Sequence, residues 1–290
     1  EVKKNIKKNT KLIFGETLGN PGLDVMNIPK ISKLAHDHNI PLLVDSTFTT
    51  PYLMKPFSLG ADLIFHSATK FLSGHGVVIG GLLVDSGQFD WTTSSKFKVL
   101  TEPYEGFHGM NFVNEFGPAA YINRARKEGA RDFGACMSPH TAFLVLQGME
   151  TLNLRMERHI KNTRDIVNFL NTHKSVKSVC YPELDGHPDH ELAKELLPDG
   201  CGAVFTFELN GNIETGKKFI EQLNLFSHLA NVGDAKSLVI HPASTTHHRM
   251  NTEDLKKAGI TESTIRLSIG IEDSQDLIED LDEALTYSTK

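Results

Sequence analysis

The chain has 290 residues, 39% of them hydrophobic and 23% charged, a usual globular composition long enough for one large or two ordinary domains. Its net charge of −6 argues against a nucleic-acid-binding or polybasic membrane surface, and no run of about 18 apolar residues is present to span a bilayer. No signal-peptide pattern is visible, and three scattered cysteines (Cys136, Cys180, Cys201) in no CxxC pattern predict reduced thiols and a cytoplasmic location. In chain order, Leu12 to Glu16 reads as a first strand, followed by a turn at Gly19-Asn20-Pro21-Gly22. Asn27 is placed to cap a helix to about His38, with Pro29 in its first turn and Ile28, Ile31, Leu34 and Ala35 on its apolar face. Pro41-Leu42-Leu43-Val44-Asp45 is a second apolar strand, ending in an acid, so strand, helix and strand form a βαβ unit.

A third strand, Leu63-Ile64-Phe65, runs into His66-Ser67-Ala68-Thr69-Lys70 and then Gly74-His75-Gly76. A lysine at the mouth of a buried strand has two readings. It is a solvated lysine at a strand end, or it carries an aldehyde cofactor as a Schiff base. Pyridoxal phosphate (PLP) chemistry asks for a carboxylate at the pyridine nitrogen, a lysine, and hydroxyl or backbone N–H groups at the phosphate. Asp45 at one strand end, with Ser67, Thr69 and Lys70 at the next, supplies most of that set. In an open parallel sheet, ligands sit outside the carboxyl ends of the strands.

Val77 to Val84 reads as a strand leaving this region. Gly74 to Gly81 lacks both the Walker ending and GxGxxG spacing, so nucleotide readings fall. Residues 85–100 are polar and irregular, Thr101 to Gly109 contains Tyr104 and His108-Gly109, and a helical stretch runs to about Arg131. Ser138-Pro139 opens a long helix reaching about Leu170, with a kink expected at Gly148; the charges of Gln147 to His159 read as helix-surface pairs. Beyond Ser175, strands (176–180, 203–207, 237–240, 264–268) alternate with helices (near 188–196, 213–222, 252–258, 274–286) as a smaller α/β domain. Arg266, flanked by strand hydrophobics, implies a bidentate grip on a carboxylate or an internal salt bridge. The histidine pairs 36/38, 187/190 and 247/248 lack HExxH or cysteine-paired spacing, so no metal is expected, and no GxSxG supports a serine hydrolase.

Val44-Asp45-Ser46-Thr47-Phe48-Thr49-Thr50-Pro51-Tyr52-Leu53, Gly60-Ala61-Asp62, His66 to Phe71 and Gly74-His75-Gly76 together resemble the Cys/Met-metabolism family of PLP enzymes. The resemblance runs over essentially the whole chain and, through the long 85–135 segment, is strongest to O-acetylhomoserine sulfhydrylases. It implies an α/β, aspartate-aminotransferase-like type I PLP-transferase fold with a mostly parallel sheet. The implied parts are the remainder of the large PLP-binding domain at 1–137, a connecting helix at 138–171 and the C-terminal α/β domain at 172–290. It implies PLP on Lys70, Asp45 at the ring nitrogen with Thr47 beside it, and Ser67 and Thr69 at the phosphate. Asn20 lies near the cofactor's 3'-oxygen, where the residues alone would suggest only a turn asparagine. Arg266, helped by Ser237, takes the amino acid's carboxylate.

The implied reaction is γ-replacement on O-acetyl-L-homoserine by sulfide or methanethiol, in a homotetramer built from dimers. Cystathionine γ-synthase, O-succinylhomoserine sulfhydrylase and the γ-lyases share these residues. Roughly the first third of a family member is expected to lie outside this sequence, with a glycine-rich phosphate turn and a ring-stacking tyrosine. A catalytically incomplete fragment or interaction subunit is therefore the reading from another class. A Schiff-base lysine without PLP would leave Asp45 without a role.

Overall fold

The computed structural model describes residues 1–246, 248–257 and 259–288, and His247 lies outside them. Four strands form the first sheet, β1 (Ile13–Glu16), β2 (Leu42–Asp45), β3 (Leu63–Ser67) and β4 (Gly81–Asp85), in that order. The first three are parallel and β4 returns antiparallel on β3. Helix α1 (Ile28–His36) connects β1 to β2, and the Asn27 side chain accepts the Lys30 amide at its start. Leu42 and Val44 of β2 are fully buried, as the apolar run predicts for a central parallel strand.

The expected strand over 77–84 begins only at Gly81. Gly80 is drawn instead to Thr69: its amide donates to Thr69 Oγ1 at 3.0 Å, and its carbonyl accepts the Thr69 amide at 3.3 Å. Ile79, just before it, is 89% exposed. The segment after β4 makes its own small core, where Leu63 packs with Trp91, Phe97, Leu100 and Phe112. Trp91 stacks on Tyr121 with ring centroids 5.0 Å apart. The helical stretch expected up to Arg131 is broken into short turns around these aromatics.

The long helix is two, α2 (Pro139–Glu150) and α3 (Leu152–Thr172), parted at Thr151 and not at Gly148. Ser138 caps α2 by accepting the Thr141 amide. The break has a physical cause. Arg155 inserts a guanidinium N–H on the Gly148 carbonyl at 2.6 Å, in place of an unbroken helical ladder. Arg155 and His159 are thus not surface charges: they are 5% and 0% exposed. Arg155 donates to backbone carbonyls, and His159 Nδ1 bonds the Ile269 carbonyl at 2.7 Å.

A second sheet follows, made of β5 (Val176–Cys180), β6 (Val204–Leu209), β7 (Ser227–His228), β8 (Leu238–Ile240) and β9 (Thr264–Ser268), in the order β5-β6-β9-β8-β7. Phe205, Phe207, Ile265 and Leu267 of its central strands are buried against Ile166 and Leu170 of α3 and against Leu277 and Leu281 of the last helix, Ser274–Ser288. Each such side chain contributes about 1.5–3 kcal/mol on burial. No helix among the described residues is long and apolar enough to cross a membrane.

Candidate active site

The carboxyl ends of β1, β2 and β3 open onto one cleft of about 200 Å³. Asn20, Asp45, Thr47, Ser67, Lys70 and Arg266 all line it, so six of the eight residues singled out by sequence come together. Asp45 is the last residue of β2, and its Oδ1 accepts the Thr47 amide at 2.9 Å. The Thr47 hydroxyl accepts the Ser67 amide at 2.8 Å, tying the acid-bearing loop to the end of β3. Behind them Ser46, Thr49 and Thr17 form a buried chain of hydroxyls at 2.8 and 3.1 Å. Thr50 in the same loop has φ +55°, a conformation that a β-branched residue adopts only under strain.

β3 runs directly into a π-helical turn, Ala68–Leu72, in which Lys70 alone leaves helical geometry (φ −93°, ψ −134°). That departure turns the half-buried Lys70 amine into the cleft, where it donates to the Asn231 side-chain oxygen. Burial first, and the Arg266 charge second, hold the amine below the ordinary lysine range. Arg266, on β9, enters from the other sheet and donates to Asn20 Oδ1 at 3.1 Å and to the Asn231 carbonyl at 3.4 Å. Burial lowers its own pKa as well. Among the described residues no carboxylate pairs with it, in contrast to the salt-bridge reading.

The structure does not bring Thr69 and Ser237 to the cleft lining. The Thr69 hydroxyl is engaged with Gly80 in both directions. Ser237 is fully buried, donates to Glu272 Oε2 at 2.9 Å and accepts the Gly270 amide at 2.9 Å. It therefore braces the turn after β9, which bears Arg266, from behind.

Two polar lining residues were missed by sequence reasoning. Asn231 sits in the β7–β8 loop and touches both Lys70 and Arg266. A signal for it existed in Gly233 (φ +76°), whose added Cβ would lie 3.0 Å from Lys70 Cβ; a glycine of this kind marks close backbone approach. Glu16 is register partner to Asp45 on the neighbouring strand, and burial, then the Asp45 charge, raise its pKa. Its apolar neighbours Ile13 and Phe14 made it read only as a strand end. Among the described residues, no three His, Cys, Asp or Glu side chains gather as metal ligands.

An amine, a carboxylate, hydroxyls and a guanidinium held by amide oxygens on one cleft match the groups that PLP and an amino acid require, so the residues present fit that cofactor. Comparison with known proteins agrees. The family described as Cys/Met metabolism PLP-dependent enzyme matches residues 1–286. The O-acetyl-L-homoserine sulfhydrylase of Leptospira meyeri is 46% identical over 285 residues, which cover 95% of this chain and 64% of that protein. The homocysteine synthase of Schizosaccharomyces pombe is 46% identical over 282 residues, covering 97% and 66%. A Campylobacter jejuni structure described as an O-acetylhomoserine (thiol)-lyase, holding N'-pyridoxyl-lysine-5'-monophosphate, superposes with a TM-score of 0.94 at 40% identity. The match covers 98% of this chain and 68% of that one, so the fold is the type I PLP-transferase fold. The chain spans about two thirds of the length of these relatives.

Proposed function

The chain belongs to the Cys/Met-metabolism family of PLP-dependent enzymes, and from that premise we propose γ-replacement on O-acetyl-L-homoserine. Sulfide or methanethiol displaces acetate at Cγ, giving homocysteine or methionine. The observation that carries this reading is the meeting on one cleft of Asp45 from the end of β2, Lys70 from the turn after β3 and Arg266 from the middle of β9. The relatives named above support the choice of acyl group and acceptor.

In this reading Lys70 would hold PLP, Asp45 and Thr47 would serve its ring nitrogen, and Asn20 would serve its 3'-oxygen. Ser67 offers a hydroxyl to its phosphate, and Thr69 fixes the turn between them through Gly80. Bound PLP supplies an electron sink for the bonds at the substrate's Cα. Arg266 grips the substrate carboxylate bidentately, and Asn231 extends that grip from the same side. Ser237 acts at one remove, by fixing Glu272 and Gly270 beyond the arginine. Lys70 would move the protons: its lowered pKa favours the neutral amine, which would take a proton from Cα and then from Cβ as acetate leaves Cγ. Protons would return to Cβ and Cα after sulfide or thiol has added at Cγ. Asp45 would keep that ring nitrogen protonated.

Residues 1–137 then form the remainder of the cofactor domain, 138–171 the connection and 172–290 the C-terminal domain. A cytoplasmic homotetramer built from dimers completes the proposal, tested by light scattering after gel filtration. The functional experiment is an absorption spectrum of the protein with PLP, followed by borohydride reduction and peptide mapping. A band near the visible edge that reduces onto the Lys70 peptide, and is lost in Lys70→Ala, is the expected result. No band with PLP supplied would sink the reading in favour of a catalytically incomplete chain. Product analysis with sulfide, cysteine or water as acceptor then separates the sulfhydrylase from the synthase and lyase reactions.

A further inference from the structure

We propose that Arg155 is a positioning residue that fixes the lysine-bearing turn and so holds the Lys70 amine in the cleft. The inference rests on the reading of Lys70 as the cofactor lysine.

Arg155 lies on α3, is 5% exposed and forms no ion pair with a carboxylate among the described residues; burial shifts its pKa downwards. Burying a cation without a counter-ion is costly unless its donors are all taken. Here the takers are mainly backbone oxygens. Nη1 donates to the Phe71 carbonyl at 2.8 Å, and Nη2 to those of Leu72 at 3.4 Å and Gly148 at 2.6 Å. Nε reaches Thr151 Oγ1 at 3.3 Å. Phe71 and Leu72 are the two residues directly after Lys70, at the carboxyl end of the π-helical turn. Carbonyls at such an end lack helical partners and carry partial negative charge, so a buried guanidinium there satisfies them and is satisfied by them.

Two glycines make the fit possible. A Cβ on Gly74 would collide with the Arg155 guanidinium, and one on Gly148 would collide with the Ser73 carbonyl. From the other side, Gly233 packs on Lys70 Cβ, and the Ala235 amide donates to the Gly74 carbonyl at 2.8 Å. The turn is thus held between α3 and the β7–β8 loop. The loop also carries Asn231, the acceptor of the Lys70 amine. Without Arg155, the carbonyls of Phe71 and Leu72 lose this partner, and the turn can move the amine out towards water.

The test is competitive acetylation of the cofactor-free chain across pH, read by mass spectrometry on the Lys70 peptide. It compares wild type with Arg155→Met and Arg155→Lys, with melting temperatures measured alongside. In Arg155→Met the titration midpoint of Lys70 should rise by about one pH unit towards an ordinary lysine, while other lysines stay put. Arg155→Lys should restore part of the shift, because an ammonium can still serve one or two of the carbonyls. An unchanged Lys70 midpoint in the folded variants, even with a lowered melting temperature, would reduce Arg155 to a fold brace and overturn the proposal. If Arg155→Met does not fold, the Arg155→Lys midpoint decides alone: unchanged overturns the proposal, a smaller upward shift supports it. Wild type treated with PLP and borohydride separates the two readings. No label on Lys70 refutes the cofactor assignment, whereas a label on Lys70 with midpoints indifferent to Arg155 refutes only this inference.

Discussion

Replacing Gly148 by alanine sets two effects of opposite sign against each other. In an exposed helix interior the change gains about 1 kcal/mol, because alanine is the better helix former. Gly148 is buried in α2, where an added Cβ would overlap the Ser73 carbonyl oxygen and lie 2.7 Å from that of Leu72. Carbon and carbonyl oxygen need roughly 3.3 Å, so helix and turn must part by more than half an ångström, and neither obstacle is a flexible side-chain end. Overpacking of this kind costs about 1–3 kcal/mol. The separation also stretches the Arg155 bonds to Phe71 and Leu72, at about 1 kcal/mol each. The net expectation is destabilisation by about 2–4 kcal/mol, or about 3–7 °C in melting temperature for a chain of 290 residues. Scanning calorimetry of Gly148→Ala against wild type measures it. A variant as stable as wild type, or more stable, would show that the contact between α2 and the lysine turn is not tight, and the argument built on Arg155 would weaken with it.

Arg266→Ala should raise KM for the amino-acid substrate about 10- to 100-fold with a smaller effect on kcat; steady-state kinetics check this, and an unchanged KM refutes the carboxylate clamp. His159 is buried neutral, with its pKa lowered to about 4, first by burial. Its folded value lies below the unfolded value of about 6.5, so the unfolded chain binds more protons between them. Stability should therefore fall as pH drops from about 6.5 to 4, by up to about 3 kcal/mol, and His159→Gln should flatten that limb of a urea-midpoint profile. Burial pushes the Cys201 thiol up to about 12, whereas Cys136 is exposed. Iodoacetamide at pH 8 should modify Cys136 in the native protein and leave Cys201 untouched until denaturant is added, as peptide mapping would report.

The acid-ended strand, the lysine turn and the Asn27 and Ser138 caps were legible because local chemistry decides them. Apolar runs make buried strands, and side-chain acceptors end helices. The elements that were misread are decided by distant partners. Gly80 looks like part of a strand, yet Thr69, eleven residues earlier, takes its backbone groups. Gly148 looks like a kink, yet Arg155 breaks the helix three residues later. Arg155 and His159 look like surface charges because their carbonyl partners lie 84 and 110 residues away. Asn231 escaped for the same reason, its lysine partner being 161 residues distant.

The bond between Arg266 and Asn20 crosses from one sheet to the other, over 246 residues of sequence. In the proposed reading an incoming carboxylate would compete for the same guanidinium. Occupancy of the cleft is thereby written into the mechanics of the molecule: the ligand replaces an internal fastening with itself. Measured affinity is then the difference between two grips on one arginine. Shortening Asn20 would remove that fastening between the sheets and, in the proposed reading, a cofactor contact with it, so a gain at the arginine is set against a loss at the cofactor.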